Sequence, residues 1–280
     1  LSQASYLVGC QRTGEAIIID PVRDLTKYME VADSEGFTIT QAAETHIHAD
    51  FASGIRDVAE QLNANVYVSG EGDDELSYRN MPEQTHFVKH QDIIHVGNIK
   101  LEVLHTPGHT PESISFLLTD EGGGSSVPMG LFSGDFVFVG DIGRPDLLEK
   151  SVQMEGSTEV SAKQMYQSIE SVKDLPDYIQ IWPGHGAGSP CGKALGAVPM
   201  STLGYEKINN WAFNVTDESK FVETLTSNQP APPHHFAQMK KINQFGMNMY
   251  QPYDVFPSLD NVRIAFDLRS KEAFHGGHTE

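Results

Sequence analysis

The run His46-Ile-His48-Ala-Asp50 constrains this chain most. It follows directly on a segment, 37–44, that reads as a β-strand. Neutral imidazole and carboxylate are the donors that borderline divalent metals take. Four more polar clusters stand where loops leave predicted strands: His105-Thr-Pro-Gly-His109, Ser133-Gly-Asp135, Gly143-Arg144-Pro-Asp146 and Pro183-Gly-His185. Donors delivered from strand ends and tight Gly/Pro loops are held rigidly, as a metal site requires. A lone histidine near a strand end is more often a hydrogen-bonded filler or a surface residue. His86, His90, His95, His234, His235, His275 and His278 are read that way.

The pattern around these clusters is mostly strand with interspersed helix. Residues 4–10 and 15–19 read as two strands, 25–35 as a helix stopped at Gly36, and 66–68 as a buried strand. Ala52, Ile55, Val58, Ala59 and Leu62 share one helical face. Gly97-Asn98 predicts a hairpin between 92–96 and 99–105. Strands at 113–119, 129–133 and 178–182 and a helix at 161–173 complete this part. Short turns suggest many antiparallel neighbours, and so an α+β fold of two packed sheets with helices outside. After His185 the texture becomes helical, at 203–211, 216–227 (with Thr216 as N-cap) and 234–244. We divide the chain into a catalytic domain at 1–212, its helical extension at 213–250, and a segment at 251–280. That last segment holds one predicted strand, 262–267, which cannot bury a core alone. A module cut short is therefore expected there, in a protein continuing past Glu280, with a short N-terminal piece also missing before Leu1.

Composition enters by exclusion. A formal net charge of -19 repels phosphate backbones, so nucleic acid is an unexpected partner. No stretch approaches the ~20 apolar residues of a membrane helix. Two cysteines, Cys10 and Cys191, do not make a disulfide scaffold and fit a reducing cytoplasm.

In order, Thr45-His-Ile-His-Ala-Asp50, His105-Thr-Pro-Gly-His109-Thr, Ser133-Gly-Asp135 and Gly184-His185-Gly186 resemble the signature of the metallo-β-lactamase superfamily over roughly residues 1–200. Gly143-Arg144-Pro-Asp146 resembles the persulfide dioxygenases. Phe266-Asp267-Leu-Arg269 through His278 resembles the opening of a rhodanese sulfurtransferase module. The resemblance implies an αββα sandwich with its site at one edge. It also implies one Fe(II) per chain, held by His46, His109 and Asp135, with His48, Asp50 and His185 orienting ligands or water. Zinc is the expected replacement in purified protein. The implied substrates are a low-molecular-weight thiol persulfide and O2, giving sulfite that a rhodanese module of the same polypeptide converts to thiosulfate. A homo-oligomer is expected from the helical addition.

One departure bears on the metal count. The superfamily run usually continues to a histidine after the aspartate, and here Phe51 stands in its place. That argues against two-metal hydrolases of the glyoxalase II type, which remain the first alternative; a non-catalytic scaffold for sulfur-carrying modules is the second. Two residues complete the expected site. Arg144 is expected to fork onto the non-reacting part of the persulfide, or else to clasp Asp146. Cys191, on a Gly/Pro-rich loop expected to border the site mouth, is expected to meet the persulfide, or else to be a buried structural thiol.

Overall fold

The computed structural model describes residues 2–72, 76–147, 156–193 and 195–246. Leu1–Met247 forms one unit, and the second, Asn248–Glu280, lies outside the described residues together with the expected module start.

Two sheets carry the fold. The first has the order β1 (Tyr6–Cys10), β2 (Glu15–Ile19), β3 (Thr38–Ala43), β4 (Asn65–Ser69), β5 (Thr85–Val88). The second runs β11 (Ser201–Thr202), β10 (Gln180–Pro183), β9 (Gly130–Gly134), β8 (Ile114–Asp120), β7 (Ile99–His105), β6 (Ile93–Val96). The seven α-helices are α1 (Thr26–Glu35), α2 (Ile55–Leu62), α3 (Ser157–Val172), α4 (Leu203–Asn209), α5 (Trp211–Asn214), α6 (Glu218–Thr226) and α7 (Phe236–Phe245), counted among the described residues.

Side-chain alternation along the strands builds the layers. In β2, Ile17 and Ile19 face the second sheet, meeting Leu101, Val103, Phe116 and Phe132, while Ile18 faces away into a core with Ile55, Val58 and Ala59 of α2. In β8, Phe116 and Leu118 point into the inter-sheet core and Leu117 points outward, against Met165 and Ile169 of α3 and Phe221 of α6. A strand buried on both faces reads as a continuous apolar run, as Ala16–Ile19 in β2 and Phe116–Leu118 in β8 do. Three cores between four layers make the α+β αββα sandwich.

Several local expectations are corrected. The first sheet is antiparallel only at β1–β2, and β2, β3, β4 and β5 run parallel. Its parallel links go through α1, α2 and longer connections, which leave no two-residue turn to read. The edge strand β5 is largely exposed and has no buried periodicity to announce it. The predicted helix 203–211 breaks at Asn210, whose extended backbone ends α4 and whose side chain caps α5 at Ala212 N. Asp217, not Thr216, caps α6, accepting from Lys220 N at 2.8 Å. The 97–98 hairpin forms with Val96 opposite Ile99. No helix among the described residues is long and apolar enough to cross a membrane.

The helices after His185 pack back onto the sandwich. α6 joins the outer core through Phe221 and Leu225. α7 ties itself to the loop after β3: Asn243 donates to His48 O (2.8 Å) and Phe51 O (2.7 Å) and accepts from Ser53 N (3.0 Å). The helical extension thus holds the His-x-His-x-Asp segment in place.

Candidate metal centre

β3 ends at Ala43, and the backbone carries His46, His48 and Asp50 into a fully buried loop. His109 comes from the loop between β7 and β8, Asp135 from just beyond β9, and His185 from just beyond β10. These are neighbouring elements at one end of the two sheets, so residues far apart in sequence meet. Gly134 turns with φ 51°, and a Cβ there would stand 2.6 Å from Thr45 Oγ1. Only glycine accommodates both the turn and that approach.

His46, His109 and Asp135 converge, their ligand atoms lying within 4.8 Å of one another. Asp135 Oδ2 stands 3.5 Å from His109 Nε2 and 3.9 Å from His46 Nε2, and it is buried with no hydrogen-bond partner. A lone buried carboxylate oxygen facing two imidazole nitrogens is the arrangement that a divalent ion completes. The supporting contacts agree. Thr45 Oγ1 donates to Asp20 Oδ2 (2.9 Å), so at 3.0 Å it accepts from His46 Nδ1. His109 Nδ1 donates to Arg144 O at 3.0 Å. Both rings therefore carry their proton on Nδ1 and present a lone pair on Nε2. Burial holds His46 well below the usual histidine range, with His48 adding to the effect, and burial likewise lowers His109. Both are thereby kept in the neutral form that coordinates metal.

His48 turns elsewhere. Its Nε2 lies 3.1 Å from Asp20 Oδ1 and 3.9 Å from Glu44 Oε1. Burial opposes its charge, yet Asp20, Glu44 and Asp50 outweigh it and raise His48 to about 9. It is a buried imidazolium facing carboxylates, outside the donor trio. His185 is clamped as well: Nδ1 to Asp135 Oδ1 at 2.6 Å and Nε2 to Asp50 Oδ2 at 2.7 Å. Burial opposes its charge too, but Asp135 and Asp50 outweigh it and raise His185 to about 10. With a carboxylate on each nitrogen, the ring donates on both sides. Asp135 is held well below the usual carboxylate range: burial works against it, and His185, His109 and His46 overcome burial.

The two remaining expected residues are placed differently from the sequence reading. Arg144 does not reach toward a ligand, because its side chain is 0% exposed. Its guanidinium forks onto Asp146 through Nε–Oδ1 and Nη2–Oδ2, both 2.7 Å, and donates to Pro190 O (3.2 Å) and Pro230 O (2.6 Å). The clasp is what the structure contains, and the substrate-anchor role is corrected. Arg144 serves the centre through its backbone oxygen on His109. Cys191 does not line an exposed mouth. It is 2% exposed, and burial pushes its thiol well up, with Asp135 and Asp50 adding to the rise. Instead its Sγ joins Asp50 and His185 in a second trio of potential donors, again within 4.8 Å. Phe51 had suggested that this place is short of a donor; sequence spacing did not reveal that Cys191 Sγ lies there beside Asp50 and His185. Sequence reasoning also missed Asp20, Glu44, Glu112 and Lys240, since single acids and lysines carry no spacing signal. His105 is not part of the centre and bonds Pro111 O instead.

The sequence profile described as the metallo-β-lactamase superfamily matches residues 1–185. The chain belongs to the metallo-β-lactamase superfamily. Within it, a solved metallo-β-lactamase from Staphylococcus aureus subsp. aureus COL is 70% identical, with a TM-score of 0.87, over 100% of this chain and 80% of that one. The crystal structure of ETHE1 from Myxococcus xanthus is 26% identical, with a TM-score of 0.69, over 87% and 93% of the two chains. A hydroxyacylglutathione hydrolase of Dictyostelium discoideum is 29% identical over 247 residues, 86% of this chain and 81% of its own. The superfamily is one of metal-dependent enzymes, and the trio of His46, His109 and Asp135 is this member's candidate metal site.

Gly143 offers a local test of this geometry. A Cβ there would stand 1.9 Å from Asp135 O and 3.2 Å from His109 Cβ. Gly143→Ala must push the backbone of one ligand and crowd another. Metal affinity is expected to fall roughly 10–100-fold, as for the loss of a ligand-orienting contact. Chelator competition measures it; unchanged affinity would contradict the tight packing of this loop.

Proposed function

We propose that this chain is a persulfide dioxygenase that works with one Fe(II) at His46, His109 and Asp135. The observation that carries the reading is the donor set. Two neutral imidazoles and one carboxylate converge, while His48 is drawn off to Asp20, so no fourth protein donor joins the trio among the described residues. Such a set leaves adjacent positions open, the pattern of non-haem iron oxygenases. Bound Fe(II) would supply the redox-active centre at which O2 and the persulfide sulfur meet. The overall change is one persulfide, one O2 and one water to one thiol, one sulfite and two protons.

The chain's own residues set the conditions. Thr45 and Arg144 O fix the imidazole tautomers, and His185 holds Asp135 in place through Oδ1. Burial of every donor keeps bulk water away. Sulfite formed here would pass to a rhodanese-type module of the same polypeptide. A single ion is favoured because His185 spends both nitrogens on the carboxylates of Asp135 and Asp50, which leaves the second trio without a free imidazole nitrogen.

A second reading, thioester hydrolysis with two metals, is favoured by the trio Asp50–His185–Cys191 and by the likeness to hydroxyacylglutathione hydrolases. Anaerobic reconstitution with Fe(II) or Zn(II), followed by metal counting, separates the two. The proposal expects one tightly bound ion and oxygen uptake with a persulfide by the iron form. Two tightly bound ions, with thioester cleavage by the zinc form and no oxygen uptake by the iron form, would establish the hydrolase.

A further inference from the structure

Lys240 is an anomaly of the helical extension. It lies on the buried stripe of α7, with Phe236, Asn243 and Gln244, and it is 4% exposed. Lysine is rarely buried without a partner that accepts its hydrogen bonds. Here the nearest carboxylate oxygen is Glu112 Oε1 at 3.8 Å, beyond hydrogen-bond distance and already taken by the Ile47 N–H at 3.1 Å. Among the described residues no acceptor receives the ammonium.

Its neighbours locate it. One turn earlier, Phe236 packs with Ala49, Phe138, Leu147 and Cys191. One turn later, Asn243 bonds the carbonyls of His48 and Phe51. Lys240 is therefore held between two attachments to the metal-site loop. Glu112, 3.8 Å from the Lys240 Nζ, bonds the N–H of Ile47, the residue between His46 and His48.

We propose that Lys240 Nζ receives the anionic sulfur end of the substrate, or the sulfite made from it, beside the His46–His109–Asp135 centre. This rests on the dioxygenase reading for the identity of the anion. A persulfide is more acidic than its thiol and arrives as an anion, and sulfite is an anion with three acceptor oxygens. An ammonium with three unused donors suits both. A neutral thioester would make less use of it, so Lys240 would favour anionic sulfur species over uncharged ones.

The test uses sulfite as probe and the zinc-loaded chain, which has no oxygen chemistry of its own. Sulfite affinity is measured by calorimetry for the wild type, Lys240→Met and Lys240→Arg, together with metal content and melting temperature. The expected result is sulfite binding at least tenfold weaker in Lys240→Met, largely restored in Lys240→Arg, with metal content unchanged. Wild-type sulfite affinity in Lys240→Met would overturn the proposal. So would loss of metal or a lowered melting point in both variants without a change in sulfite affinity, which would make Lys240 a structural partner of Glu112. If sulfite binding depends on Lys240 while the iron form takes up no oxygen with any persulfide, the anion site stands and the dioxygenase reading fails.

Discussion

Asp135→Ala is expected to empty the metal centre while leaving the sandwich folded. Asp135 is the one carboxylate of the trio, and its Oδ2 faces both imidazoles without any other partner. Removing a contact that merely orients a ligand costs roughly 10–100-fold in metal affinity. Removing a ligand itself should exceed about a hundredfold on the same scale. The substitution also frees His185 Nδ1, so that ring keeps only Asp50 and its raised proton affinity falls back. Sign and window follow from that. A histidine raised to about 10 stabilises the fold fully below its ordinary value of 6.5 and loses that contribution as pH rises toward 10. In the metal-free protein, Asp135→Ala should therefore flatten the decline in melting temperature between neutral and strongly alkaline pH. Metal analysis after dialysis and a pH series of thermal melts check the two parts. Retained metal would remove Asp135 from the ligand set.

Arg144→Ala is expected to produce the largest loss of stability among these substitutions. Its guanidinium is fully buried and makes four hydrogen bonds, two of them the fork on Asp146. Breaking a buried pair from one side leaves a carboxylate without its counter-charge, at a cost of about 3–5 kcal/mol. For a domain of this size that corresponds to a fall in melting temperature of roughly 10 °C. The loop from Gly143 to Asp146 also holds His109 through Arg144 O, so metal affinity should fall with stability. A substrate anchor would behave differently, raising KM with melting temperature and metal unchanged. Thermal melts of the metal-loaded and metal-free variant distinguish these outcomes.

Much of this centre was legible because its residues are punctuated. His46, His109, Asp135 and His185 each follow a strand, the last three stand beside glycine, His46 opens a His-x-His-x-Asp run, and a strand end is readable from apolar runs such as Ile17–Ile19 and Phe116–Leu118. The layers were legible for the same reason. What escaped was set by tertiary contacts. Cys191 lies on a Gly/Pro-rich loop that looks exposed, yet the chain folds it against Phe138 and Phe236. Arg144 looked like a ligand-reaching residue because its clasp depends on Pro190 and Pro230, 46 and 86 positions away. Lys240 and Glu112 meet across 128 residues with no motif around either, and the parallel strands of the first sheet are joined by crossovers whose pairing no local turn encodes.

The central claim, oxygen chemistry at a single iron, is tested most directly by stoichiometry. The chain, reconstituted anaerobically with one Fe(II), is mixed with a low-molecular-weight thiol persulfide in an oxygen-electrode cell, and sulfite is assayed in the same samples. The account predicts one O2 consumed and one sulfite formed for each persulfide. It also predicts that both signals vanish in the zinc form and in Asp135→Ala. Sulfite without oxygen uptake, or no sulfite from an iron-loaded and folded chain, would contradict it.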